Sequence, residues 1–506
     1  MLPLSSWTTS LVVIALSGVD ARPVDTNITS IPTANNSSFQ ISDLTNVTAA
    51  AQSCTDIKQC RTMDQIVVSC LVTILACVWF AVHRNVPAPK PKPYRHGNVF
   101  MQTVRRARDL ILDQRESAIV FVVALLAPEW ILAWALRQAI AAWNLTEKLE
   151  RAKLEAIKTQ NKIYSMVSRL ERDAEAVAGS SDGWGMSHAF LAVMGGFLFY
   201  DGHGPLRPLS PNDVVELVRR GHLVPPTAEE ISNQSKGDAL SKGVAIIQTL
   251  WFAMQCIVRH TEDLPVTSLE IMTLAYTVMT VAMYIAWWDI RKIPNMLLDY
   301  LCVLSDVDNR GTPDYHSIGE RITNYVMGMQ DRYVDLSKCK RVPTFWAGTI
   351  KFDGKPFKYD DRTFGETPKL DGKTDGKTII TDLNIATVAT IADKIALFVA
   401  MVFGAVHCMA WYSEFQTHLE LQLWRSSAIT IIAVPVAFAV GYIVAVMIDD
   451  HVDFDIFLLI GALYTPIAII YVAARLILII LSFTSLRALP AGAYQTIQWT
   501  TYIPHI

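Results

Sequence analysis

The densest set of reactive side chains in the chain is Asp449-Asp450-His451-Val452-Asp453-Phe454-Asp455. If a helix ran through it, Asp449, Asp450 and Asp453 would stand one turn apart, and carboxylates so spaced can bridge Mg²⁺ ions to a diphosphate. The spacing has the D-D-x-x-D form of prenyl diphosphate enzymes. Such enzymes also need a second metal-binding motif on a facing helix, and Asn295 with Asp299 is all that the sequence offers. The plainer reading is that a short loop between two apolar runs is acidic because it is wet. No G-x-G-x-x-G, Walker loop, G-x-S-x-G elbow, H-E-x-x-H or C-x-x-C occurs, so the usual nucleotide, hydrolase and zinc-peptidase classes are excluded as motifs. No catalytic residue or cofactor-binding residue follows from the motifs, and Mg²⁺ enters only with the acidic cluster.

Other candidates are ionisable residues lodged in apolar runs, where a charge is costly and therefore functional by default. They are Glu129, Glu270, Asp393, His407 and Arg475. Glu129 and Arg137 lie two turns apart and could pair, while Arg475 could pair with a carboxylate elsewhere in a bundle. Glu270 and Asp393 lie near span ends, where hydration accounts for them. His407 beside Cys408 reads as a packed histidine rather than half of a metal site. Asp371–Asp382 superficially resembles a calcium loop, but Lys373 stands where an oxygen ligand is wanted, and a solvated turn fits better.

The elements that must position these residues are membrane helices. Of 506 residues, 51% are hydrophobic and 18% charged, with mean hydropathy +0.28, too apolar for a soluble protein of this length. A net charge of −3 supplies no basic surface, so no nucleic-acid partner is expected. Apolar runs long enough to span a bilayer occur near 65–82, 243–258, 269–288, 391–411, 428–448 and 456–481. The run 118–142 carries Pro128-Glu129 at its centre, and 188–200 is too short to cross; both are expected to be re-entrant or packed inside the bundle. The expected fold is an all-α polytopic membrane bundle of about six transmembrane helices plus those one or two segments, with a small cytoplasmic insert. Thr349–Tyr359 alternates around Asp353-Gly354 as a β-hairpin would.

Charge sets the orientation. Arg84, Lys90, Lys92, Arg95, Arg105, Arg106, Arg108 and Arg115 follow the first span and mark the cytoplasmic side. The N-terminus is then lumenal or extracellular, and six crossings put the C-terminal tail on that side too. It reads as a signal peptide over 1–21, then a segment over 22–64 with glycosylation acceptors at Asn27, Asn35, Asn36 and Asn46. Cys54 and Cys60 lie close together in this segment and suit one local disulfide, whereas Cys70, Cys77, Cys256 and Cys408 fall in apolar runs as small buried hydrophobes. The remaining divisions are a first helix over 65–82, a cytoplasmic region over 83–240, a transmembrane hairpin over 241–288, the insert over 289–388, three helices over 389–481 and a tail over 482–506. Within 83–240, Leu149, Ala152, Ala156, Ile163, Met166 and Leu170 recur at three-four spacing beside Lys and Arg, an amphipathic helix expected to pack against the bundle or the insert. Gly195-Gly196 invites a close backbone approach, and Trp287-Trp288 and Trp411-Tyr412 sit at span ends as interfacial anchors.

Cys60-Arg61, Val82-His83-Arg84-Asn85-Val86-Pro87, the block Trp184–Phe197, Ile231–Gly243 and the ending Trp499–Ile506 together resemble a large family of fungal multi-pass membrane proteins without an established activity. The resemblance covers most of the chain from Cys60 onward and transfers no catalytic residue. Arg84 departs from it, standing where the family more often has proline. Two functional classes follow. One is a non-enzymatic transporter, channel, sensor or scaffold of the endoplasmic reticulum or plasma membrane, with the lipid bilayer and a small-molecule or ion ligand as partners. The other is a membrane-embedded, Mg²⁺-dependent enzyme acting on an isoprenoid diphosphate or lipid, of terpene cyclase or prenyltransferase type. Enzymatic deglycosylation of the protein from a eukaryotic host is expected to lower its apparent mass on a gel. The Asn27→Gln/Asn35→Gln/Asn36→Gln/Asn46→Gln variant is expected to run at that lower mass untreated.

Overall fold

The structure, a computed structural model, describes residues 60–86, 117–167, 183–201, 204–223, 236–288, 336, 339, 341–348, 385–449 and 456–497. The four glycosylation acceptors, Cys54, the calcium-like stretch and the hairpin expected over 349–359 lie outside the described residues.

In chain order the helices are α1 (Met63–Leu75), prolonged by a π-helical turn (Ala76–Phe80), α2 (Ser117–Leu126) and α3 (Pro128–Val167). A short α4 (Met186–Val193), an antiparallel β1 (Leu198–Asp201) and β2 (Gly204–Pro208), and α5 (Pro211–Arg219) follow. Then come α6 (Lys236–Thr261), α7 (Ser268–Ala286), α8 (Ile385–His407), α9 (His418–Asp449) and α10 (Ile456–Thr484). Four of them start on one local device, a hydroxyl followed three residues later by a longer acceptor. In α1, Gln65 N–H donates to Thr62 Oγ1 (3.3 Å) while Thr62 N–H donates to Gln65 Oε1 (3.0 Å). Ser210 with Asp213, Thr267 with Glu270 and Thr417 with Glu420 repeat it at α5, α7 and α9. Each pair satisfies two amide donors that a helix start would otherwise leave bare.

Among the described residues, five helices are long and apolar enough to cross a membrane: Met63–Phe80, Ser268–Ala286, Ile391–Ala410, His418–Gly441 and Pro466–Ala488. The sixth expected span, 243–258, is also a helix, part of α6, but polar residues such as Gln248 and Thr249 keep it below that apolarity. Those two residues face inward, with Gln248 donating to Thr73 Oγ1 (3.0 Å) and Thr249 Oγ1 3.9 Å from Cys77 Sγ. The opposite face of α6 exposes Ile247, Leu250, Trp251, Met254 and Ile257. α7 is the hub: 72% of its span is buried against 33–39% in the other four, because α1, α3, α6, α8 and α10 all pack on it.

The run expected over 118–142 is not one straight helix. α2 and α3 meet at Ala127 with a bend of 112°, since Pro128 has no amide hydrogen to continue α2 and disfavours helix at the residue before it. The run expected over 188–200 is not one helix either: it is α4, a turn at Gly195-Gly196 and β1, with residues 188–197 and Phe199 buried. Gly195 has φ +77°, and a Cβ there would stand 2.6 Å from Val342 Cγ1. The amphipathic segment begins in α3, where Leu149 and Ala152 of the expected stripe, with Leu145 before them, are buried where α4 and α5 pack, while Leu170 lies outside the described residues.

Gly348 combines φ +69° with a Cβ position 2.8 Å from Val193 Cγ1, whereas Gly221, at φ +73°, faces open space. Gly348→Ala is therefore expected to cost roughly 2–3 kcal/mol and Gly221→Ala only about 1 kcal/mol. Unfolding midpoints in detergent should fall in that order.

Candidate functional site: the tip of a broken helix pair

Arg84 at the end of the first span donates to Ser117 Oγ (2.6 Å) at the start of α2. From that end of the bundle α2 runs inward, turns at Ala127, and α3 runs back to the same end, where Gln138 joins a polar cluster around Asn85 and Trp346. Both arms of the hairpin thus lead to one end of the helix bundle, and its tip reaches the middle of α7.

A helix stopped inside a bundle leaves carbonyls without partners. Here side chains satisfy them: Tyr276 of α7 donates its hydroxyl to Leu125 O, and Arg475 of α10 donates Nε–H to Leu126 O (3.2 Å). Arg475 is 2% exposed. Its guanidinium carbon lies 3.9 Å from the centre of the Phe403 ring and 5.7 Å from that of Tyr276, so two aromatic faces share the charge. Its Nη2 stands 3.9 Å from Glu129 Oε2, at the limit of an ion pair. Glu129 therefore faces Arg475 rather than Arg137, which bonds Asp393 (Nε 3.1 Å) and ties α3 to α8.

Four polar atoms around this tip lack a hydrogen-bond partner: Glu129 Oε2, Arg475 Nη2, Tyr471 Oη and His407 Nε2. Tyr471 lies beside Glu129. His407 packs on the other side of the assembly, its ring 4.9 Å from Phe403, with Nδ1 2.9 Å from Phe403 O. Because that partner is a carbonyl, Nδ1 carries the hydrogen, and Nε2 is a bare acceptor. The arrangement gathers two donors and two acceptors, all enclosed by protein, at the point where the backbone is broken.

Between the tip and the Gln138 end lies residues 341–348. Asn85 Nδ2 donates to Pro343 O (2.8 Å) and Thr344 O (3.2 Å), while Trp134 Nε1 (2.9 Å) and Gln138 Nε2 (2.8 Å) donate to Trp346 O. Trp287 Nε1 donates to Gln138 Oε1 (3.0 Å). Phe345 stacks on Trp130 at 5.0 Å, covering the first turns of α3. Trp287 is thus a buried hydrogen-bonded residue and no interfacial anchor, unlike the 71% exposed Trp288.

At the opposite end, Glu270 is 4% exposed and not hydrated as expected. It accepts from both terminal nitrogens of Arg61, one at 3.2 Å, and from Thr267 N (2.8 Å). Arg61 Nε donates to Ala493 O (2.7 Å), and Arg259 donates to Gln495 O (2.7 Å) and Pro265 O (2.9 Å). Cys60 pairs with Gln495 as an antiparallel bridge, so the C-terminal segment lies at the same end as Cys60. Burial, with the neighbouring Arg61 second, draws Arg259 down to about 10.

Of the acidic cluster, Asp449 is the last residue of α9, and Asp450 and Asp453 lie outside the described residues. Among the described residues no three His, Cys, Asp or Glu side chains converge to hold a metal ion. Cys70, Cys77 and Cys256 are buried; Cys408 is partly exposed. Sequence reasoning singled out Glu129, Arg475 and His407 singly but missed Tyr276, Phe403 and Tyr471, which join them. Pro128 after an apolar run was the one local signal that a backbone break, and hence a need for capping groups, lay there.

Fold and site define a helical membrane-type protein with a helix pair sharply broken inside the bundle. The chain belongs to DUF8562, a family of unknown function, whose model matches residues 39–309 and 365–506. No curated protein and no solved structure matches it.

Removing Glu270 leaves the Arg61 guanidinium buried against carbonyls without its counter-charge. Glu270→Ala is expected to cost roughly 3–5 kcal/mol. Arg61→Ala/Glu270→Ala should cost less than the sum of its singles, read from a double-mutant cycle on unfolding midpoints.

Proposed function

We propose that this protein crosses the membrane six times and works without covalent chemistry, moving a small solute or ion past the tip of the α2–α3 hairpin. The observation that carries this reading is the helix break at Ala127–Pro128, capped by Tyr276 and Arg475 beside unpartnered polar atoms. Broken backbone at membrane depth survives only where protein shelters it or where it lines a water-filled route. Transporters build solute sites at such breaks, and ionisable residues there mark ion pathways. The lipid-facing stripe of α6 supports its counting as the sixth crossing.

The segment 341–348, seated over Trp130 and Trp134, sits as a cover on the side that basic loops mark as cytoplasmic. Signal peptide, glycosylated lumenal N-terminus, secretory-pathway membrane and fungal origin belong to the same reading. It rests on the loop charges, the acceptor triplets and the family resemblance.

Two measurements test it. Single cysteines at 117 and 148 should react with an impermeant maleimide from the same side, and a cysteine at 412 from the other; labelling of 117 and 148 from opposite sides would mean that the hairpin crosses. In proteoliposomes on a solid-supported membrane, concentration jumps of small organic anions, amino acids and monovalent cations should elicit a current for at least one class. Arg475→Gln should reduce that current at least tenfold. Mg²⁺-dependent turnover of farnesyl or geranylgeranyl diphosphate that disappears in Asp449→Asn/Asp450→Asn would replace this reading with the enzyme.

A further inference from the structure

The hairpin tip contains a carboxyl whose charge partner is occupied elsewhere. Arg475 spends its Nε–H on Leu126 O and its face on Phe403, and it reaches Glu129 only at 3.9 Å. An ion pair in a dry interior repays its desolvation only when the geometry is close and the remaining lone pairs are filled. Glu129 falls short of both, because Arg475 stands at the limit of an ion pair and Oε2 has no close hydrogen-bond partner, the Tyr471 hydroxyl being the neighbour that can reach the carboxyl. Yet Arg475 is too near for a neutral acid to be strongly preferred. The two protonation states of Glu129 are therefore brought close in free energy by the arrangement itself.

We propose that Glu129 is an intramembrane proton-binding site, and that its occupancy moves the hairpin tip. The proposal rests on the solute-moving reading above and adds the proton as the coupling ion. Among the described residues, the charged and titratable groups that face Glu129 are Arg475 and Tyr471 of α10 and Tyr276 of α7, while His407 of α8 reaches it through Arg475.

When Glu129 is ionised, Arg475 Nη2 and the Tyr471 hydroxyl are both drawn onto it, and closing the 3.9 Å gap pulls the guanidinium toward α3. When Glu129 takes a proton, that attraction ends, and Arg475 is left with Leu126 O and the Phe403 face. Either way the group that moves is the one that caps Leu126. The proton therefore acts on the backbone of the tip rather than on a distant switch. His407 Nε2, a bare acceptor on the far side of Phe403, is placed to receive a donor that enters from that side.

The test is infrared difference spectroscopy on the full chain in nanodiscs, titrated from about pH 5 to pH 9. The protonated-acid carbonyl stretch, which lies apart from the carboxylate bands, is followed in parallel variants. The expected result is a band that titrates in the native chain and in Asp393→Asn and is absent in Glu129→Gln. In Tyr471→Phe and Arg475→Gln, which remove stabilisation of the anion, its midpoint should rise by about one pH unit or more. Where Arg475→Gln does not yield folded protein, Tyr471→Phe carries this arm, since it removes one oxygen and keeps the ring. In proteoliposomes with an internal pH dye and an imposed potassium potential, native protein should acidify the lumen at least tenfold faster than Glu129→Gln. No titrating band that is lost in Glu129→Gln would overturn the proposal, and so would a midpoint indifferent to both Tyr471→Phe and Arg475→Gln. The first of these results leaves solute-driven currents standing. A titrating Glu129 in a protein without any such current upholds the proton site and overturns the solute reading instead.

Discussion

A peptide carbonyl that loses its helical partner in an apolar interior costs several kcal/mol unless another donor finds it. The α2–α3 hairpin creates two such carbonyls, at Leu125 and Leu126, by ending a helix at Pro128 in mid-bundle. Much of the surrounding arrangement follows from having to satisfy them. Tyr276 sits halfway along α7, the helix that every neighbour packs on, and Arg475 comes from α10 to the same point. A guanidinium needs compensation of its own there, so Phe403 of α8 offers its ring and Glu129 its carboxyl. Three helices and the hairpin are thereby registered on one spot, and that spot is polar because the backbone there is broken.

The two ends of the bundle are closed by different means. At one end, loop backbone supplies the acceptors: carbonyls of residues 343–346 are gathered by Asn85, Trp134 and Gln138, with Trp287 holding Gln138 in place. At the other, two guanidiniums collect carbonyls from the C-terminal segment while Glu270 balances Arg61. Arg84, the departure from the resembling family's proline, contributes a tether from the first span to the start of α2.

Where the sequence was legible, one physical signal sufficed. Long apolar runs are set by bilayer thickness, and the helices over Met63–Phe80, Ser268–Ala286, Ile391–Ala410, His418–Gly441 and Pro466–Ala488 lie where those runs do. Pro128 announced a break, and Gly195-Gly196 a close approach. What stayed hidden was pairing across distance. Glu129 found Arg475, 346 positions away along the chain, and not the local Arg137, because the bend at Ala127 turns the first residues of α3 toward α10. Glu270 looked hydrated because it lies near a span end, yet Arg61 and the C-terminal segment fold over it and exclude water. Trp287 likewise looked like an anchor until its indole N–H met Gln138. In each case the sequence gives depth along a helix but not which face is turned inward, and facing decides whether a polar group is solvated or paired.

The bridge between Cys60 and Gln495 joins residues 435 positions apart in the sequence at one end of the bundle. A chain made from its N-terminus contains α1 and α6 long before residues 490–495 exist, so Arg61 and Arg259 wait through synthesis without the carbonyls that later hold them. Residues 492–495 are then a clasp that is fastened only after they have been translated. Chains cut short before it would display two unclaimed guanidiniums at that end, a mark by which unfinished molecules differ from finished ones.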